Sequence, residues 1–301
     1  MKLSLGVRYM LLAIFFFSLM NVFVKLVPDI PSVQVVFFRS VVSLVISYGL
    51  LKAQKVSIWG NNKPILILRG LTGAIALILF FTTLQKIPLA TAVTLQFLFP
   101  IFATIFGVFI VKEKVHPWQW VFFGLSFSGI LVINGWEAAF SNLYLILGVS
   151  SAVFGGLAYN MVRKLKGTEH PLVIVLYFPL VTLPIAGIWT AVVWVQPQGW
   201  EWVYLILVGI CTQIAQYFMT KSYQLEEISK VSSLQYTGIV YGLLYGWLFF
   251  DEHLGLMAYV GIGLVLLGVV LNVRFKNRLD ARVEVQEPKP QKTARSGKRK
   301  G

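Results

Sequence analysis

The chain has 301 residues, of which 57% are hydrophobic and only 13% are charged, a balance far from that of a soluble protein. This composition excludes a pair of soluble domains and indicates an integral membrane protein. The formal net charge of +14 does not indicate a nucleic-acid partner, because ten of the 26 Lys and Arg residues lie in the last 28 residues. We expect that basic tail to be disordered and to lie near anionic lipid headgroups.

Ten runs of roughly 20 apolar residues, the length that crosses a hydrocarbon core as a helix, lie between charged or turn-rich breaks. The predicted spans are 9–27, 33–51, 64–84, 89–111, 117–134, 143–163, 171–195, 202–224, 230–250 and 256–274. Because the breaks are short, consecutive helices are expected to be antiparallel neighbours in an all-α bundle. The first span lacks an Ala-x-Ala type of cleavage site, so we interpret it as a retained helix.

An internal duplication relates the two halves of the chain at an offset of 139 residues. Small and polar residues recur at this offset: Asn21/Asn160, Lys25/Lys164, Gly70/Gly209, Gln96/Gln235, Glu113/Glu252, Gly124/Gly263 and Gly129/Gly268. The sequence therefore predicts two five-span repeats, over 1–137 and 138–274, followed by a disordered tail over 275–301. Because five is odd, the second repeat is expected to enter the membrane upside down, as in carriers with inverted repeats.

The chain shows no pattern of residues that would carry a chemical reaction. Its three histidines, His116, His170 and His253, fall in predicted loops without ligand spacing, and its single cysteine, Cys211, has no partner. No Asp, Glu or His lies deep in a span, so no acid/base pair or nucleophile dyad can be assembled there. We expect neither an enzyme nor a metal or cofactor site.

Ionisable side chains inside a span are costly and are therefore candidates for function. Arg39 lies about 9 Å inside the outer end of the second span by helical rise. It either extends back to the interface or faces a cavity and binds an anionic group of a substrate. For Lys25, Arg69, Lys221 and Lys230, which lie nearer the ends of their spans, extension to the interface is the favoured interpretation.

Neutral polar residues at membrane depth recur by symmetry, Gln96 with Gln235 and Asn21 with Asn160. Most buried amides in membranes form hydrogen bonds between helices. The alternative, which we favour for the glutamines, is a polar lining on either side of a midplane site. Tyr236 and Tyr241 are candidates to cover the apolar part of a substrate. Pro100 is expected to kink the fourth span, and glycines in spans five, nine and ten are expected to pack closely against other helices.

Several short motifs, in this order and spacing, are similar to those of the drug/metabolite transporter superfamily, in particular its ten-helix EamA-type members. They are Phe37-Phe38-Arg39, Arg69-Gly70, Ile87-Pro88-Leu89-Ala90-Thr91-Ala92, Pro100, Lys112-Glu113-Lys114, Gly124 with Gly129, and Asp251-Glu252-His253 with Gly263 and Gly268. The ninth span departs from the pattern because Ile239, and not proline, is the counterpart of Pro100.

This resemblance implies two EamA-type repeats in an inner membrane and transport, often export, of small metabolites such as amino acids or nucleosides. It also implies a cavity lined mainly by spans one, three, four, six, eight and nine. We expect a small-molecule substrate, the lipid bilayer as the surroundings, and alternating access for export or exchange. The alternative is a membrane scaffold whose polar residues only join helices. A homodimer is left open.

Lys and Arg residues in short loops predict a cytoplasmic N-terminus, because they concentrate on one side while the opposite loops hold only Lys86. We therefore expect a reporter fused after Gly301 to report the cytoplasm and one inserted at Ala138 to report the outer side. Activity of paired alkaline phosphatase and fluorescent-protein fusions measures this. A cytoplasmic signal at Ala138 would contradict both the ten-span count and the inversion.

Overall fold

A computed structural model describes residues 4–110, 116–136, 141–165, 167–225 and 233–286. Within these residues the chain forms eleven α-helices and one 3-10 turn, with no strand. The first half contains α1 (Leu5–Lys25), α2 (Ser32–Ala53), α3 (Lys63–Lys86), α4 (Leu89–Gln96), α5 (Phe99–Ile110) and α6 (Pro117–Trp136). The second half contains α7 (Asn142–Lys164), α8 (Pro171–Val192), α9 (Glu201–Leu225), the 3-10 turn Ser233–Tyr236, α10 (Thr237–Phe250) and α11 (Leu256–Gln286).

The arrangement of these helices confirms the prediction of an all-α membrane protein with ten spans. Eight helical segments are long and apolar enough to cross a membrane, and one of them, Leu89–Ile110, combines α4 with α5. Pro117–Ile133, within α6, is a shorter apolar segment, and α10 with its preceding 3-10 turn occupies the predicted ninth span. Features predicted at 112–114, at Ala138 and at Lys230 lie outside the described residues.

The last helix is longer than the sequence pattern suggested. We expected disorder from residue 275 onward, whereas α11 continues to Gln286. Its extra turns over 275–286 contain no Gly or Pro and include two Arg with Lys, Leu, Ala, Glu and Gln, which favour helix, so a helix already formed in the membrane continues at little cost. Residues 287–301 lie outside the described part of the chain.

The fourth span is interrupted where the sequence predicted a kink. α4 ends at Gln96 and α5 begins at Phe99, so the break lies directly before Pro100. Proline has no N–H, so the carbonyl of Gln96 receives no helical hydrogen bond. In the second repeat the equivalent boundary separates the 3-10 turn, which ends at Tyr236, from α10. Both repeats therefore change helical geometry at the same place, although only one contains the proline.

Helix packing follows the duplication throughout the bundle. α1 packs on α9 as α7 packs on α3, and α2 packs on α9 as α8 packs on α3. The pairs α2 with α8, α4 with α10, and α6 with α11 join equivalent helices of the two repeats. Each helix therefore packs against the equivalents of the helices that its own counterpart contacts, as expected of two repeats related by a pseudo-two-fold axis.

Individual contacts repeat at the same offset. A side chain at Gly70 would collide with Val181, and one at Gly209 would collide with Val42, which is the equivalent of Val181. On the axis, the Ser126 hydroxyl donates to the Val265 carbonyl at 3.4 Å, and these two residues are also equivalent. Side-chain contacts, and not only helix positions, therefore follow the symmetry.

Close contact between α6 and α11 depends on glycine. A Cβ atom on Gly129 would lie 2.6 Å from the Gly261 carbonyl oxygen and 2.8 Å from the Val265 nitrogen, and neither backbone can move independently of its helix. Gly124, on the same helix, has nothing within 4 Å of the position that a Cβ atom would take, so the expected close packing at Gly124 is wrong. Hydropathy could not separate the two glycines, because it does not specify which way a helix is rotated.

We expect Gly129→Ala to destabilise the protein by about 1–3 kcal/mol, the usual cost of overpacking a tight interface. Gly124→Ala is the matched control, because it changes the same residue type in the same helix without a clash. Thermal unfolding in detergent, followed by fluorescence-detected gel filtration, compares the two. Equal midpoints for both variants would contradict the glycine-dependent contact.

Candidate functional site

A cavity with a volume of about 340 Å³ lies between α2, α3, α7, α8, α9 and the break between α4 and α5. A space of this size is in the range that holds small ligands. Spans two, three, four, six, seven and eight therefore line it. The expectation of spans one, three, four, six, eight and nine is wrong for this conformation, because spans two and seven replace spans one and nine.

Aromatic side chains account for the absence of spans one and nine from the wall. Phe16 stacks on Phe218 at 6.2 Å between ring centroids, and Phe15 contacts Tyr241 at 6.1 Å. Tyr236 in turn lies 5.4 Å from Phe97. These contacts join the rings of spans one, eight and nine, in the region equivalent to the cavity wall formed by spans six, three and four.

Arg39, on α2, faces this cavity. Its side chain is only 7% exposed, and its Nε donates to the Thr212 hydroxyl at 3.1 Å. The Thr212 hydroxyl itself donates to the Val208 carbonyl at 2.7 Å, which leaves its oxygen lone pairs for Arg39. The guanidinium carbon lies 5.2 Å from the ring centroid of Phe178, on α8. Of the two orientations considered for Arg39, the structure has the cavity-facing one.

Arg69, on α3 of the same repeat as Arg39, also lies beside this aromatic ring. Its guanidinium carbon lies 4.8 Å from the centroid of Phe178, and the residue lines the cavity. We favoured extension of Arg69 to the interface, and that interpretation is wrong. Depth along α3 placed Arg69 near a membrane surface, but the rotation of α3 directs its long side chain inward.

The two guanidinium groups have no acidic partner in the cavity. No Asp, Glu or His belongs to the cavity wall as far as the chain is described. Nη1 of Arg39 and both Nε and Nη1 of Arg69 are buried without a hydrogen-bond partner. Buried charged donors in this state are costly, and an anion that accepts hydrogen bonds from them removes much of that cost. The cavity is therefore chemically suited to an anion.

Amide side chains and two proline-containing spans complete the wall. Gln96, at the end of α4, lines the cavity, and its carbonyl lacks a helical donor because of Pro100. Pro179, inside the continuous helix α8, removes the helical donor for the carbonyl of Val175, and both residues line the cavity. Gln213 also lines it and donates to the Ser47 hydroxyl at 3.1 Å. The wall thus contains amide side chains beside the two cations.

The other predicted site residues lie elsewhere in this conformation. Asn160 donates from Nδ2 to the Ala103 carbonyl at 2.8 Å, which joins α7 to α5. Its equivalent, Asn21, is 8% exposed, and the Oδ1 atoms of both asparagines have no partner. Gln235, Tyr236 and Tyr241 belong to the ninth span and do not line the cavity. Their role in binding a substrate stays a prediction.

Sequence reasoning missed Phe178 and the polar residues of α9, Thr212 and Gln213. One signal was present in the sequence. Phe178 is the equivalent of Arg39 in the second repeat, and Arg39 was already a candidate site residue. A second signal was the run of hydrogen-bonding side chains in the middle of an apolar span. Neither signal indicates by itself which side chains meet.

An ion pair joins three segments at the end of the bundle predicted to be the outer one. Lys25, the last residue of α1, lies 2.6 Å from Glu252, which follows α10. Lys25 also donates to the Ile87 carbonyl at 2.5 Å, and Glu252 accepts from the Leu89 N–H at 2.7 Å. Lys25 was expected to extend to the interface, whereas it holds α1, the start of α4 and the end of α10 together.

Comparisons with known proteins agree with this architecture. The pseudopaline exporter of Pseudomonas aeruginosa is 29% identical over 280 residues, which cover 91% of this chain and 98% of the exporter. A riboflavin transporter of Rhizobium johnstonii is 26% identical over 273 residues, which cover 87% of this chain and 88% of that protein. A crystal structure with 20% identity matches 93% of this chain and 100% of its own with a TM-score of 0.63, which supports the fold alone.

A sequence model of the EamA-like transporter family matches the chain twice, over residues 4–135 and 142–274. The two matches fall on the two halves that the helix packing relates to each other, and together they include all ten spans. The chain belongs to the EamA-like transporter family.

Proposed function

We propose that this protein is a secondary transporter that moves a small organic anion across an inner membrane, by export or exchange, and that it is not an enzyme. The observation that carries the proposal is the pair of guanidinium groups, Arg39 and Arg69, in a cavity whose described wall contains no acidic side chain. An anionic or zwitterionic metabolite, such as one of the amino-acid class, supplies the missing negative charge; a nucleoside, which is neutral, does not.

Binding begins with the planar guanidinium groups. Each lies over the ring of Phe178, which attracts its positive charge without using its N–H donors, several of which are unpaired. A carboxylate accepts two parallel hydrogen bonds at such an edge. Gln96 and Gln213 provide further hydrogen bonds to the rest of the solute, and apolar wall residues cover its carbon skeleton.

Alternating access follows from the two repeats, which we place at 1–137 and 138–274, with 275–301 as a cytoplasmic tail. In this structure a cavity lies beside spans three, four and six, whereas aromatic rings of spans eight, nine and one contact one another in the equivalent region. Exchange of the two arrangements would open that region and bring Asn21, Gln235, Tyr236 and Tyr241 toward the substrate. The Lys25–Glu252 ion pair would separate in that step.

The relatives support transport without specifying the solute. One is named as an exporter of pseudopaline and another as a transporter of riboflavin, so similar chains are named for different small molecules. The substrate of this chain therefore has to be inferred from its own cavity. Both termini are placed in the cytoplasm, with the basic tail beside the lipid headgroups, and we propose no nucleic-acid partner and no cofactor.

We expect Arg39→Gln and Arg69→Gln each to lower transport by at least ~30-fold, because loss of one partner of a buried charge pair costs about 2–5 kcal/mol. An untargeted comparison of metabolites in medium and cytosol, with each variant overexpressed, measures the loss. Arg8→Gln is the matched control, since Arg8 is exposed at the start of α1. Wild-type export by both cavity variants, at equal membrane levels, would favour the scaffold alternative.

We expect a pH gradient alone not to drive accumulation of the transported metabolite. Arginine stays charged throughout the physiological range, and the described cavity wall has no Asp, Glu or His that could take up and release a proton. Uptake into proteoliposomes with and without an imposed pH gradient, at zero membrane potential, checks this. Accumulation above equilibrium would overturn the expectation and direct attention to Glu252 and to Glu113, which lies outside the described residues.

A further inference from the structure

We propose that the cavity binds a dicarboxylate, with one carboxylate at Arg39 and the other at Arg69. This inference rests on the proposed transport of an anion and adds the chemical class of the substrate. It concerns the number of negative charges that the cavity requires, which neither the family nor the names of the relatives specify.

The positive charge of the cavity wall favours a solute with two negative charges. The described wall contains two permanent cations and no anion. A solute with one negative charge neutralises one guanidinium group and leaves the other buried beside it, with the desolvation cost of that charge still present. A solute with two negative charges neutralises both. The difference between the two cases is largest in a buried site, where interactions between charges are least screened.

Both guanidinium groups have hydrogen-bond donors without partners. Arg39 uses Nε for the Thr212 hydroxyl, and its Nη1 is buried without a partner. Arg69 has neither Nε nor Nη1 paired. Unpaired donors therefore exist on both guanidinium groups and not on one alone. A carboxylate accepts two parallel bonds from one guanidinium group, so two carboxylates allow each guanidinium group a bidentate partner of its own.

Both guanidinium groups lie close to the same aromatic ring. The guanidinium carbons lie 5.2 Å and 4.8 Å from the centroid of the one Phe178 ring, and both arginines line the same cavity, so one small molecule there can contact both. Wall residues such as Leu77 and Phe99 are apolar and suit a short hydrocarbon link between the carboxylates. The volume of about 340 Å³ accommodates such a molecule.

The test measures binding to the full-length protein in lipid nanodiscs by intrinsic tryptophan fluorescence. The probes are the linear dicarboxylates malonate, succinate, glutarate and adipate, each compared with its own monoamide, which has nearly the same shape and one charge fewer. At least one dicarboxylate is expected to bind at least ~10-fold more tightly than its monoamide, as for loss of a charge-assisted pair. Inorganic phosphate is included as a compact dianion.

Substitutions identify which side chain recognises the second charge. In Arg69→Gln, the preference for the dicarboxylate over its monoamide is expected to fall to less than about twofold, because the second carboxylate has lost its partner. Arg39→Gln is expected to have the same effect, whereas Arg8→Gln is expected to keep the wild-type preference. A loss of affinity that is equal for dicarboxylate and monoamide would instead indicate a structural role for the arginine.

The outcomes separate this inference from the proposed function. A wild-type protein that binds no dicarboxylate more tightly than its monoamide, or that binds phosphate more tightly than every dicarboxylate, overturns the dicarboxylate inference. If Arg39 and Arg69 are still required for metabolite export in that case, anion transport stands. If export is also independent of both arginines, the proposed function fails as well.

Discussion

Two guanidinium groups that share one aromatic ring constrain the rest of this structure. Arg39 is buried and Arg69 is partly buried, and the two carry the same charge, so each is costly in the interior of a membrane protein. Their contacts with Phe178, and the hydrogen bond from Arg39 to Thr212, offset part of that cost. The described wall provides no negative charge to offset the rest, and the anion that we propose as substrate would provide it.

The symmetry of the fold is interrupted at the residues that give the cavity its chemistry. Phe178 occupies in the second repeat the position that Arg39 occupies in the first, and Gly73 is the equivalent of Thr212. As a result, the Arg39–Thr212 hydrogen bond on one side corresponds to a contact between Phe178 and Gly73 on the other. The duplicated scaffold places the residues, and divergence between the copies makes one side cationic and the other aromatic.

Prolines in two spans connect the fold to the cavity. Backbone groups without partners are tolerated at membrane depth only where they are buried in protein or line a polar space. Pro100 and Pro179 each remove the donor for one helical carbonyl, and the residues that carry those carbonyls, Gln96 and Val175, both line the cavity. The interruption of span four therefore lies at the cavity wall.

The sequence by itself determined the ten spans, the repeat at an offset of 139 residues and the depth of Arg39 in its span, because length, hydropathy and depth can all be measured along the chain. Only the tertiary structure decided that Arg69 turns inward, that Phe178 joins it to Arg39, and that Tyr236 and Tyr241 pack with other rings. The physical reason is that hydropathy fixes the position of a residue along a helix. Its direction around the helix axis is set by packing against neighbouring helices, which is a property of the assembled bundle.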